Sequence, residues 1–189
     1  MRSQLAPGFL VAAPSLLDPP FKRTVVVLVD HGPNGSFGFV VNRPAPMKLS
    51  EMLEQIESGV ADTPIMEAPV LLGGPVATET GWVLFEPSVI SQSSAEVVQI
   101  SKRFAVSASR ELLRALATHS GPERMLLVLG YAGWGSGQLE AEIAQGAWIP
   151  VDFDESILFD TPYDERWGKA LRSLGIDPAR LSIGSTTES

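Results

Sequence analysis

The chain contains no cysteine, which excludes disulfides, thiolate zinc sites and cysteine nucleophiles together. It has two histidines, His31 and His119, far apart in sequence and outside any H-E-x-x-H pattern. The carboxylates Asp152, Asp154 and Glu155 are loosely spaced and read as solvating a turn, so no metal site and no cofactor are expected. Long apolar runs are missing too. Thr24–Val29 and Met125–Leu129 fall well short of the ~20 residues that span a bilayer, so no membrane span is expected. Basic charge is sparse: 14 Lys and Arg stand against 22 Asp and Glu, for a net charge of -8. The adjacent basic pairs are Lys22-Arg23 and Lys102-Arg103. A chain of this charge repels phosphate backbones, so direct nucleic-acid binding is not expected. The apolar patch near the N-terminus is interrupted by Pro7, Pro14, Asp18, Pro19 and Pro20 and preceded by a single Arg2. It does not read as an export signal, and a cytoplasmic location is expected.

What is present is globular. Apolar residues make up 44% and charged residues 19% of 189 positions, enough for one sizeable core and short for two. We expect a single domain over 1–189, with its core at about 8–182 and a frayed polar tail at 184–189. Thr24–Val29 and Met125–Leu129 predict strands buried on both faces, because they are apolar without alternation. His31–Ser36, HGPNGS, predicts a reversal into a strand over Phe37–Asn42, which Pro44 and Pro46 should end. Further short strands are predicted at Phe9–Ala12, Val70–Leu72, Gly81–Phe85, Val97–Val106, Ala147–Val151 and Ser156–Phe159. Helices are predicted at about Ser50–Glu57, after Ser107 or Ser109 with Leu112, Leu113, Leu116 and Ala117 inward, at Ser136–Gln145, and from about Tyr163 with Trp167, Leu171 and Leu174 inward. Strands and helices do not alternate regularly. That predicts an α+β fold with a mixed sheet, with a three-layer α/β sandwich as the alternative.

The most informative stretch is Leu129–Ile149, LGYAGWGSGQLEAEIAQGAWI, where four glycines, Tyr131, Trp134 and Gln138 lie between an apolar strand and an acidic helix. Such glycine density predicts a shaped loop following the strand. It is not a phosphate loop: no Lys follows the last glycine, position 138 is Gln, and Glu140 and Glu142 already complement the helix dipole. Ser136 in W-G-S-G-Q misses the G-x-S-x-G elbow by one residue on each side, and a hydrolytic triad is disfavoured. His31 closes an apolar strand beside Asp30, where a structural imidazole is commoner than a functional one. Arg43 follows Asn42 at a strand end. Gln138 and Glu142 are four apart and share a helix face. Arg43 is expected to pair with Glu142, or failing that Glu140, locking the loop; the same groups could instead line a shallow aromatic-walled pocket. The candidate binding residues are therefore His31, Asn42, Arg43, Gly73, Gly74, Tyr131, Trp134, Gln138 and Glu142. No catalytic residue is assigned.

The ordered motifs FLVAAPSLLDPPF (Phe9–Phe21), TVVVLVDH (Thr24–His31), GFVVNRP (Gly38–Pro44), GGPV (Gly73–Val76), LGYAGWGSGQLEAEI (Leu129–Ile143) and AWI (Ala147–Ile149) resemble the YqgE/AlgH family of bacterial proteins. Phe159-Asp160, Arg166-Trp167 and Leu174–Asp177 extend the resemblance to about Ser182. It implies a compact α+β fold with a strongly curved, partly barrel-like mixed sheet flanked by helices. It implies no established biochemical activity, although the label transcriptional regulator is attached to some members. Two departures stand out: Phe85 where the family commonly has His, and Phe37 in the G-S-F-G turn, where a smaller residue is usual. A mechanism needing a histidine after Leu84 therefore does not carry over. The expected function is a non-enzymatic ligand- or protein-binding or regulatory one, with an unknown small molecule or protein as partner. An enzyme with a site around His31, Arg43 and the Gly130–Gln138 loop is the alternative.

Overall fold

Two apolar strands organise the chain, and the computed structural model places both inside sheets. It describes residues 4–56, 59–60, 64–86, 98–100, 104–108, 112–114 and 124–183. Among these the strands are β1 (Gly8–Ala12), β2 (Val25–Gly32), β3 (Gly35–Val40), β4 (Pro44–Lys48), β5 (Pro69–Leu72), β6 (Val76–Phe85), β7 (Val98–Gln99), β8 (Ala105–Ser107), β9 (Met125–Trp134) and β10 (Trp148–Asp152). The helices are α1 (Leu49–Glu54), α2 (Gln138–Ala144), α3 (Glu155–Phe159), α4 (Arg166–Arg172) and α5 (Pro178–Ile183), with short 3-10 turns at Pro64–Glu67 and Tyr163–Glu165. The chain divides into two compact units, Met1–Asn42 with Ala132–Ser189, and Arg43–Tyr131. Strand β9 runs from the second unit into the first.

In the first unit β1 lies between β10 and β2, and β3 pairs with β2 and with the Ala132–Trp134 end of β9, all antiparallel. Val25 to Leu28 have no exposed surface, as expected of a strand covered on both faces. Leu10, Ala12, Val26, Leu28 and Val40 share one cluster with Leu139 of α2 and with Trp134 and Trp148. The alternate residues Phe9, Val11, Val25 and Val27 are buried on the opposite face, where α4 packs on β1 and β2. Helix α4 is anchored by Trp167, whose Nε1 donates to the Ala12 carbonyl at 2.8 Å.

The second unit has the order β4-β5-β9-β6-β8-β7, and its sheet is mixed because β5 runs parallel to β9. The Met125–Leu129 part of β9 is central, between β5 and β6. Leu49, Leu53, Met66, Val70, Val83, Phe85, Ala105, Leu112, Leu113, Met125 and Leu127 form its core. Phe85, where a histidine was expected from the resemblance, is an ordinary member of that core. Antiparallel pairing in the first unit, mixed pairing in the second and the packed helices together make an α+β fold.

Several predicted elements are corrected. The strand before Pro44 does end, at Val40, but Pro44 and Pro46 then lie on a further strand: among the described residues β4 pairs with β5 alone, so a residue without N–H is tolerated there, and its prolines are exposed while Ala45 and Met47 turn inward. Ser156–Phe159 is helical, because Asp154 caps it, accepting from the Ser156 N–H at 2.9 Å. The strand predicted over Val97–Val106 is two short strands, β7 and β8. Leu174 lies beyond the end of α4 and is exposed. The predicted helix positions Leu116 and Ala117, and His119, lie outside the described residues.

Arg166 is a charged side chain inside the first unit. It is 3% exposed, and its Nε donates to the Thr161 carbonyl at 2.9 Å. A terminal nitrogen donates to the Val41 carbonyl, and the guanidinium lies 4.6 Å over the Tyr163 ring. Burial pushes its pKa down to about 10. Arg166 thus ties α4 to the end of β3 through carbonyls rather than through an acid. Arg166→Ala is expected to lower stability by roughly 3 kcal/mol, because two buried carbonyls lose their donors. Arg166→Lys should recover little of it, since a single ammonium cannot reproduce the planar fork. Urea unfolding measures both variants, and a wild-type midpoint for Arg166→Ala would show that the tie carries no stability.

Candidate functional site

The glycine-rich stretch is mostly strand. β9 continues through Gly130, Tyr131, Ala132 and Gly133 to Trp134, and only Gly135–Gly137 form the turn before α2. Gly133 is exposed and in register with Phe37 of β3. A Cβ on Gly135 would meet nothing closer than the Gln138 amide oxygen at 3.8 Å. The demanding position is Gly130, at φ 75°, where a Cβ would lie 2.6 Å from the Gly74 carbonyl oxygen. Gly73 is its counterpart: its N–H donates to the Leu129 carbonyl at 2.7 Å, and a Cβ there would meet the Gly130 oxygen at 2.4 Å. Gly73, Gly74 and Gly130 therefore serve close backbone approach within the second unit. Tyr131 follows on β9 in register with Val76.

Within the first unit the turn is filled from inside. Glu142 Oε2 accepts from the indole Nε1 of Trp134 at 2.8 Å and of Trp148 at 3.0 Å. Its Oε1 accepts from the Gln138 amide at 3.1 Å. Gln138 in turn accepts from the Gly135 N–H at 3.0 Å. The two indoles meet edge to face at 5.8 Å, and Phe21 packs edge-on against Trp148 at 5.5 Å. One carboxylate thereby satisfies two largely buried indole donors, which would otherwise be costly.

The Glu142 carboxylate, named in sequence as the first partner for Arg43, is engaged within its own unit by two tryptophans and an amide. Glu140, the second candidate for Arg43, pairs with His31. Arg43 belongs to the second unit, where its carbonyl accepts from Leu72 N–H at 2.7 Å, and burial lowers its pKa. Asn42 is structural: its Oδ1 accepts from Val25 N–H at 2.9 Å and its Nδ2 donates to the Arg23 carbonyl at 2.8 Å.

The cluster that sequence reasoning missed lies beside the clamp. His31 Nδ1 is 2.5 Å from Ser36 Oγ, and its Nε2 is 3.1 Å from Glu140 Oε1. The register between β2 and β3 shifts between Leu28 and Asp30, which inserts Val29 as an extra residue. Strict alternation would put His31 on the face of Val25 and Val27. The bulge instead makes it the partner of Ser36, on the face where α2 packs. Ser136, read as the notable serine, donates to the Pro33 carbonyl at 2.6 Å and closes the hairpin tip onto the turn. No signal short of the register reveals Ser36, because the bulge depends on pairing.

Glu142→Ala is expected to lower stability by about 2 kcal/mol, since two indole N–H groups lose their acceptor. Glu142→Gln, which keeps one oxygen, should lose less. Tryptophan emission followed through urea unfolding reads both, and equal stability of all three proteins would dissolve the clamp. Gly130→Ala is expected to cost about 2 kcal/mol, through a positive φ and a backbone clash. Gly135→Ala should lie near wild type, so thermal melts that rank the two in reverse order would contradict these roles.

This geometry sits in a chain that matches known proteins over nearly its whole length. A family model described as AlgH-like matches residues 9–179. A UPF0301 protein of Anaeromyxobacter dehalogenans is 42% identical over 184 residues, covering 95% of this chain and 93% of the relative. Another, from Burkholderia cenocepacia, is 43% identical over 181 residues, covering 96% and 94%. The solution structure of the AlgH protein from Pseudomonas aeruginosa superposes with a TM-score of 0.77 at 37% identity, covering 100% of this chain and 97% of that one. A crystal structure of a protein from Corynebacterium diphtheriae shares the fold, with a TM-score of 0.68 at 24% identity over 98% and 94% of the two chains. The chain belongs to the AlgH-like family.

Proposed function

We propose that the protein works by recognition in the cytoplasm, as a non-enzymatic ligand- or protein-binding protein, and that any influence on transcription is indirect, through its partner. The observation that carries this is the filled glycine turn. Glu142 and Gln138 spend their polar atoms inside the first unit, while Gly135, Ser136, Gly137 and Gln138 remain exposed. A turn already held in one shape loses little entropy on binding, which favours recognition. Charge supports an indirect role. The net charge is -8, and Arg166, which would head a basic strip with Lys169 and Arg172, is buried.

Native mass spectrometry of the protein taken directly from cells tests this reading. Wild type should carry a retained small molecule or protein partner. Gly135→Trp adds bulk on the exposed turn, where a Cβ has room. It should melt near wild type and lose the retained mass. A wild-type protein with nothing retained, or a variant that retains as much, would overturn the proposal. Fluorescence anisotropy with DNA at about 150 mM salt should show no sequence-selective binding below micromolar protein; such binding would restore direct control.

A further inference from the structure

Beside the recognition turn lies a hydrogen-bonded series that the clamp does not use. Ser36 is 92% buried by its 8% exposure, and its Oγ lies 2.5 Å from His31 Nδ1. Glu140, on a separate element, meets His31 Nε2 at 3.1 Å, with side-chain exposures of 18% for the histidine and 50% for the glutamate. A carboxylate accepts and cannot donate, so Glu140 holds the imidazole hydrogen on Nε2. Nδ1 is then a bare lone pair facing a serine hydroxyl. Pairing register explains why Ser36 and His31 are neighbours. It does not explain a helix carboxylate at the far nitrogen, or the Ser136 to Pro33 hydrogen bond at 2.6 Å that holds the hairpin tip against the turn.

We infer that Ser36 is a covalent acyl acceptor, with His31 as its base and Glu140 as the positioning residue, and that its substrates are short activated acyl compounds such as esters and thioesters. Ser36 Oγ forms a bond to the acyl carbon as its proton passes to His31 Nδ1. The carbonyl electron pair moves to oxygen and returns as the bond to the leaving group breaks. An alkoxide or thiolate leaving group takes the proton back from Nδ1, so the products are an acyl-serine and an alcohol or thiol, with no oxidant or reductant. Ser36 has little exposed surface and lies beside its register partner Trp134, which favours a small acyl group whose leaving group stays in solvent. The half-exposed Glu140 and the partly exposed imidazole put the series at the protein surface. Acylation needs no turnover, so it stands alongside a recognition function: the covalent acyl group sits next to the turn that a partner would meet.

Full-length protein treated with p-nitrophenyl acetate, and separately with a fluorophosphonate, tests this by intact mass and peptide sequencing. One acetyl or phosphonyl group is expected on Ser36. Ser36→Ala should abolish the adduct while keeping its melting temperature. His31→Gln should slow labelling at least about 100-fold, the lower range for losing a general base. Glu140→Gln, at an exposed position, should slow it about 10-fold and shift the pH profile of labelling, which a purely structural carboxylate would not do. Ser173→Ala should label like wild type. A single burst of nitrophenolate, or a burst followed by steady release, supports the acyl acceptor, although steady release would also overturn the non-enzymatic reading. No adduct, an adduct elsewhere, or equal labelling rates in His31→Gln would overturn the acyl acceptor and leave the recognition reading intact.

Discussion

An indole buried in a protein core brings one N–H that must find an acceptor, and this molecule brings two to the same oxygen. Trp134 ends β9 and Trp148 begins β10, so their shared acceptor, Glu142, fixes where both strands meet α2. Much local detail follows from that demand. The helix must present a carboxylate inward one turn after its start. Gln138 must lie one turn earlier to share the load, and the chain between β9 and α2 is left three residues in which to reverse. Gly137 in the left-handed region makes so short a reversal possible. The glycines here serve the clamp first, and the shape of the exposed turn is its by-product.

A second constraint works through strand register. A single extra residue at Val29 changes which face of the sheet receives everything after it on β2. Val25 to Val29 alternate across two packed layers, and then the phase reverses. Without that reversal Asp30 would take the place opposite α2, setting a carboxylate near Glu140. With it, an imidazole faces a carboxylate and a hydroxyl, three groups that satisfy one another.

The strands β2 and β9 were legible because continuous β-branched and aliphatic runs have few alternatives in a chain of this size. The hairpin between β2 and β3 was legible from HGPNGS, the buried face of α4 from Trp167 and Leu171, and its stop from Gly175. Other features failed for identifiable reasons. Glycine density was read as loop, yet Gly133 is extended and Gly130 serves backbone packing, and both uses look alike in sequence. Ile157 to Phe159 form too short an apolar run for periodicity to decide, so a single capping aspartate settled it as helix. Arg166 carried no sign of burial, because its partners are peptide carbonyls, which every residue has. Of the candidate residues, Trp134 and Gln138 both hydrogen-bond Glu142, whereas His31 was named without its neighbour Ser36. Arg43, Gly73, Gly74 and Tyr131 belong to the other unit.

Strand β4 carries a consequence for how copies of this protein meet. Sheet edges recruit other strands through free N–H groups. On β4, Pro44 and Pro46 have none, and the Lys48 N–H is already given to the Glu51 carboxylate at 2.9 Å. Leu49 directs its own N–H to Ala68 at 2.8 Å. Three alternate positions therefore offer no donor to an incoming chain. The prolines that in sequence looked like the end of a strand make this border poor at templating growth, a safeguard against edge-to-edge aggregation built from residues usually associated with disrupting sheets.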